Sequence, residues 1–261
     1  MAFETIVCSE KNGVGTITIN RPQFANAFAT ETYQEIADAV EAYDSDPAVN
    51  AIVITGAGKH FSAGGDIKRF KQLIDSGEYL SAEGIIKAGR MPKTIRMSGT
   101  PTIAVVNGVA TGAGLSCALA CDFRVVEPKS KLIMAFSNLG LCGDTAATYT
   151  LPALIGPARA AKMMMLGAPV AGEEAVRIGL ADVLAEQGGL LEAGFDFAEK
   201  IAGRSHAAIS AQKKLLNKYQ FGDFDQALKD EAELMQEASR KPDFAEAVNA
   251  FLEKRPAVFN K

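Results

Sequence analysis

Between Phe136 and Leu151 the chain reads F-S-N-L-G-L-C-G-D-T-A-A-T-Y-T-L, apolar or small almost throughout, with one carboxylate, Asp144, at its centre. A lone acid in a poorly hydrated surround is costly unless it has chemistry to perform. Its neighbours Leu141, Cys142, Ala146, Ala147 and Phe136 would desolvate it and raise its pKa toward useful basicity. A place at the opening of the helix predicted to follow would do the opposite and favour the ionised form. The first effect suits a general base, the second a nucleophile.

Two loops rich in small residues could present a ligand to that acid. They are Gly58-Lys-His-Phe-Ser-Ala-Gly-Gly-Asp66 and Gly108-Val-Ala-Thr-Gly-Ala-Gly114. Small side chains let a ligand lie against backbone amides, and two N–H groups aimed at one oxygen make an oxyanion hole. The second loop also opens a predicted helix, whose first N–H groups lack intrahelical partners. Neither loop is a dinucleotide fingerprint, and there is no P-loop lysine and hydroxyl pair. His60 reads as a loop histidine without chemistry and Cys142 as pocket lining. Cys117 and Cys121 share one helical face and read as buried small hydrophobes, with no ligand set for a metal.

These residues need elements to position them. The segment 14–20 alternates like a strand and stops at Arg21-Pro22. A helix follows from Thr30, capped by Thr30 or Glu31. Runs 51–55 and 101–107 are continuously apolar, as strands buried on both faces must be. Residues 122–126 and 131–135 are predicted strands, 115–121 a helix, and two helices after Asp144 are separated by Gly156-Pro157. The stretch 68–98 is helix-rich but broken by glycines and Pro92. Strand–turn–helix units in this order predict an α/β protein with a largely parallel sheet and ligands beyond the strands' carboxyl ends. Residues 203–261 are helical and charged, which divides the chain into a core over 1–202 and a helical region over 203–261.

At 261 residues the chain buries a sizeable core, and 48% hydrophobic with 22% charged residues is ordinary for a globular protein. A net charge of −4 argues against a general nucleic-acid surface. No run reads as a membrane span or signal peptide, and the last residues are not a peroxisomal address, so the expectation is a cytoplasmic protein with no membrane partner.

The order R-P-x-x-x-N-A-F (21–28), G-K-H-F-S-A-G-G-D-I (58–67), P-T-I-A-V-V-N-G-V-A-T-G-A-G (101–114), C-D-F-R (121–124) and G-P-A-R-A (156–160) resembles the crotonase, or enoyl-CoA hydratase/isomerase, superfamily along essentially the whole chain. The resemblance implies a spiral of ββα units with a C-terminal helical oligomerisation region, and homotrimers or dimers of trimers. It implies acyl-CoA thioester substrates of fatty-acid type, no cofactor beyond the substrate's own coenzyme A, and an enolate held by two backbone amides. By position those amides are Gly65 and Ala113; the family usually has Gly at the second place, but Ala113 still supplies an N–H. Ala63, Gly65, Asp66 and Ile67 would line the coenzyme A path. In the segment N-A-F-L-E-K, Phe251 and Lys254 would reach coenzyme A, often from a neighbouring subunit.

The family's hydratases use two glutamates, and the matching positions here are Ser116 and Phe136. Standard hydratase chemistry is therefore disfavoured, and Phe136 becomes a substrate-lining residue. Asp144 matches an acid found in relatives resembling Δ3,Δ2-enoyl-CoA isomerases, where one group suffices for a 1,3-proton shift. The segment also resembles G-N-D-T-A-T-S-Y-S-L of 4-chlorobenzoyl-CoA dehalogenases, whose Asp is a nucleophile. Those enzymes add a His base, where this chain has Lys93, and a Trp, where it has Phe136. A thioester hydrolase with Asp144 as nucleophile, and a non-catalytic acyl-CoA-binding or RNA-associated relative, complete the alternatives.

Overall fold

In the computed structural model, which describes residues 3–260, β1 (Ile6–Lys11) and β2 (Val14–Ile19) form an antiparallel hairpin. Asn12 and Gly13 turn it at positive φ, 55° and 76°, the backbone that matches strand twist in a two-residue loop. The sequence reading lacks β1. Its side chains after Ile6 are all exposed, so no apolar alternation marks it.

β3 (Ala51–Gly56) and β4 (Thr102–Val106) are buried at every position, as their apolar runs predict. Then come β5 (Val109–Thr111), β6 (Phe123–Val126), β7 (Lys131–Ile133), β8 (Val170–Ala171) and β9 (Val183–Leu184). One sheet has the order β1-β2-β3-β4-β6-β9 and is parallel from β2 onward. A smaller sheet has the order β5-β7-β8. The strand predicted over 131–135 ends at Ile133, and β8 and β9 are too short for periodicity to reveal.

The helices are α1 (Thr30–Asp44), α2 (Ile67–Asp75), α3 (Ala82–Ala88), α4 (Arg90–Met97), α5 (Ala113–Ala120), α6 (Ala147–Ile155), α7 (Pro157–Leu166), α8 (Gly172–Arg177) and α9 (Leu190–Ala202). After residue 203 come α10 (His206–Gln220), α11 (Phe224–Ser239) and α12 (Pro242–Leu252). The cap of α1 is Ala29 rather than Thr30 or Glu31, and the Thr32 hydroxyl accepts from the Ala29 N–H at 3.2 Å.

Side chains alternate across each strand, so the large sheet feeds two cores. Ile52, Ile54, Ala104 and Val106 pack under α1, α4 and α5, while Ala51, Val53, Ile103 and Val105 meet Leu190 and Ala198 of α9. The carboxyl ends of β3 and β4 then deliver both Gly-rich loops to one edge of the sheet.

Candidate active site

The R-P-x-x-x-N-A-F run is the clamp for the first loop. Asn26 is buried, and its amide donates to the carbonyls of Ala57 at 2.8 Å and His60 at 2.6 Å. Its side-chain oxygen accepts from the Arg21 N–H at 2.9 Å. Ser62 then joins the two loops: its carbonyl accepts from the Thr111 N–H at 3.0 Å, and its N–H donates to Val109 O at 3.1 Å. A Cβ on Gly64 (φ 80°) would stand 2.6 Å from Thr111 O, so only glycine permits this approach.

The locked loops present Gly65 and Ala113 to the same cavity. Ala113 is the first residue of α5, where the N–H has no intrahelical acceptor. Among the described residues neither the Gly65 nor the Ala113 N–H has an acceptor. Two free donors on one wall can receive a developing oxyanion.

Asp144 faces this cavity from a strained loop. Gly143 has φ 127°, Thr145 55° and Ala146 58°. Left-handed backbone costs a non-glycine residue about 1 kcal/mol or more and persists only where the surroundings impose it. Here they do so through Glu231 of α11, a buried residue that sequence reasoning did not find. Its carboxylate accepts from the Ala146 N–H at 2.6 Å, the Thr148 N–H at 2.8 Å and the Thr148 hydroxyl at 2.5 Å. No motif marks it, because it lies 85 residues from Ala146 on an ordinary amphipathic helix.

Glu231 overturns one sequence expectation. α6 begins at Ala147, and Glu231, not Asp144, takes its N-terminal N–H groups. The helix end does not favour an ionised Asp144. Burial, and then the negative charge of Glu231, push the Asp144 pKa up to about 7; a Thr145 hydroxyl donating at 3.1 Å opposes them weakly. Burial also raises the pKa of Glu231 itself. Asp144 is thereby poised to exchange a proton near neutrality.

The cavity has a volume of about 640 Å³, and Ala63, Gly65, Asp66, Ile67, Ala113, Phe136, Asp144 and Phe251 all line it. Asp66 caps α2 through the Lys68 N–H at 3.0 Å and lies 3.6 Å from the Arg21 guanidinium. Lys68 and Arg255 are the cations on this wall; Lys254, expected to reach coenzyme A often from a neighbouring subunit, does not line its own chain's cavity, and the backbone there has φ 56°. Arg255 is already engaged by Glu246 at 2.6 Å. Ser116 is buried on α5, donates its hydroxyl to Gly112 O at 3.1 Å, and does not itself line the cavity. Lys93, at the dehalogenase base position, pairs with Asp225 at 2.6 Å.

Cys142 is exposed and outside both large cavities, contrary to its reading as pocket lining; partial desolvation of its thiol, and then the Glu231 charge, raise its pKa to about 11. Cys117 and Cys121 are buried in the core as read. His60 packs against Gly108 with a buried, unpartnered Nδ1, and His206 contacts the Thr100 hydroxyl at 3.3 Å. Among the described residues no cluster could hold a metal ion, and no helix is long and apolar enough to cross a membrane.

Comparison with known proteins identifies the family. A crotonyl-CoA hydratase of Syntrophomonas wolfei is 34% identical over 260 residues, 99% of each chain. A 1,2-epoxyphenylacetyl-CoA isomerase of Escherichia coli is 30% identical, covering 98% of each. The crystal structure of an enoyl-CoA hydratase from Mycobacterium avium subsp. paratuberculosis superposes with a TM-score of 0.90 at 28% identity, over the full length of both chains. The family profile described as enoyl-CoA hydratase/isomerase matches residues 9–261. Fold, paired loops and sequence agree: the chain belongs to the enoyl-CoA hydratase/isomerase family.

Proposed function

We propose that the protein shifts the double bond of a 3-enoyl-CoA thioester to the 2-position. The observation that carries this reading is Asp144, whose pKa of about 7 faces two free backbone N–H groups with Ser116 and Phe136 at the hydratase acid positions. Asp144 takes a proton from C2; the electrons pass into the thioester carbonyl, whose oxygen receives the Gly65 and Ala113 N–H groups. The same carboxyl then returns the proton to C4 and the double bond becomes conjugated. Ala63, Asp66, Ile67 and Phe251 hold coenzyme A, Phe136 walls the reacting carbons, and no further cofactor is needed. The relatives include both hydratases and an isomerase acting on an epoxide thioester, so the choice rests on the site residues.

The test is absorbance of the conjugated thioester with 3-enoyl-CoA substrates of several chain lengths. Turnover should fall by about 10³-fold or more in Asp144→Ala. No turnover at any length, or full activity in that variant, sinks the reading. The nucleophile alternative has less support: Lys93, where the dehalogenase resemblance implies a His base, is held by Asp225. Mass spectrometry with an aryl-CoA would reveal an acyl-enzyme if it operates. A non-catalytic acyl-CoA binder would show saturable binding and no turnover. The same family reading makes the protein a homotrimer or a dimer of trimers. Exposed Leu215, Leu216 and Tyr219 of α10 supply apolar surface for association, and sedimentation equilibrium checks it.

A further inference from the structure

Asp144 lines two chambers, and the reaction above uses one. The second has a volume of about 460 Å³ and shares Asp144, Tyr33 and Phe70 with the first. Buried Leu80 and Ile85 make its inner wall apolar, but its outer end carries two arginines, Arg69 of α2 and Arg240 just beyond α11. Neither has a carboxylate partner among the described residues, although lysines close by in sequence do: Lys71 with Asp75, and Lys241 with Glu237 at 3.3 Å. Arg240 lies 5.9 Å from the Tyr79 ring, and the charge of Arg69 is felt at Tyr33. The chamber's other acid is Glu78, which pairs with neither arginine. Two exposed guanidiniums against one carboxylate leave the lining of this end positive.

On the acyl-CoA reading, the coenzyme side is the first chamber, lined by Asp66, Ile67 and Phe251, and the second opens from it at Asp144, Tyr33 and Phe70. It can take the distal end of the acyl group. An alkyl end would cross the apolar wall and meet two hydrated guanidiniums to no benefit. A carboxylate there would meet planar donors that match it in a forked geometry. Resting on the acyl-CoA reading above, we propose that the preferred substrate is the monothioester of a dicarboxylic acid, its free carboxylate held between Arg69 and Arg240.

Saturated thioesters read the chamber without chemistry. Adipoyl-, suberoyl- and sebacoyl-CoA are compared by calorimetry with hexanoyl-, octanoyl- and decanoyl-CoA. At one length or more the carboxylated ligand should bind about tenfold tighter, and added salt should shrink that preference. In the double variant R69M/R240M the preference should fall toward parity. Parity at every length in the native protein, or an undiminished preference in the variant, overturns the proposal. Matched 3-enoyl substrates, with and without the terminal carboxylate, separate the two readings. Preferred binding of the diacids without isomerisation leaves the chamber standing and removes the reaction. Equal turnover of both kinds does the reverse.

Discussion

Asp144 carries its proton affinity because of where its loop is held. Three of its neighbours sit in left-handed backbone, and Glu231 satisfies the N–H groups this conformation exposes. Replacing Glu231 with Gln tests both effects at once. An amide offers one acceptor where the carboxylate offers two, and its NH2 would face backbone N–H donors. The variant should lose about 2 kcal/mol of stability in denaturant unfolding. It also loses the negative charge that raises Asp144, so the Asp144 pKa should drop. In the native protein kcat/KM should climb with pH through about 7, as the base form appears. In Glu231→Gln that limb should lie at lower pH; an unmoved limb would show that burial alone sets the pKa. The acid itself was legible as a lone charge in an apolar run. Its partner was not, since sequence patterns report neighbours within a turn or a strand, and Glu231 arrives from another helix.

At the scale of elements, one buried ion cluster joins the helical C-terminal region to the core. Asp122, immediately before β6, pairs with Arg96 of α4 and with Lys213 of α10 at 2.7 Å. Both cations are nearly inaccessible, and burial pushes the Lys213 ammonium well below its ordinary pKa. Asp122 also accepts from the Thr102 N–H at 2.8 Å. Asp122→Asn strands two cations and should cost about 3 kcal/mol or more, seen as a drop in the urea midpoint. The C-D-F-R motif was visible in the sequence, but its acid's task was not, because both cations lie on separate helices. Strands show the same division. β3 and β4 were readable because a strand covered on both faces must be apolar throughout. β1, an edge strand with polar side chains, was not, since sheet pairing places no apolar requirement on its outer face.

For the whole molecule, the active site should register as a pH-dependent stability cost. Asp144 has a folded pKa of about 7 against an unfolded value near 3.8, so the folded chain binds the extra proton between them. Stability contributed by this group is complete below about pH 4, falls as pH rises, and levels off above 7. Asp144→Asn should remove that dependence. The variant should match the native protein at about pH 4 and exceed it by about 4 kcal/mol at pH 8 in urea unfolding. A difference that does not vary with pH would assign the effect to packing instead.

By itself the sequence determined the parallel α/β architecture, the two Gly-rich loops that meet at one cavity, and Ser116 and Phe136 where the family resemblance implies the hydratase acids. Each of these is local: apolar periodicity, glycine where only glycine fits, a residue type at a fixed offset. The tertiary structure decided the rest. It gave the helix end to Glu231, and with it the raised pKa of Asp144; it put Lys68 and Arg255 on the cavity wall; and it opened a second chamber with unpaired arginines beyond the acid. These depend on charge, burial and distance between residues far apart in the chain, quantities that exist only once the chain has folded.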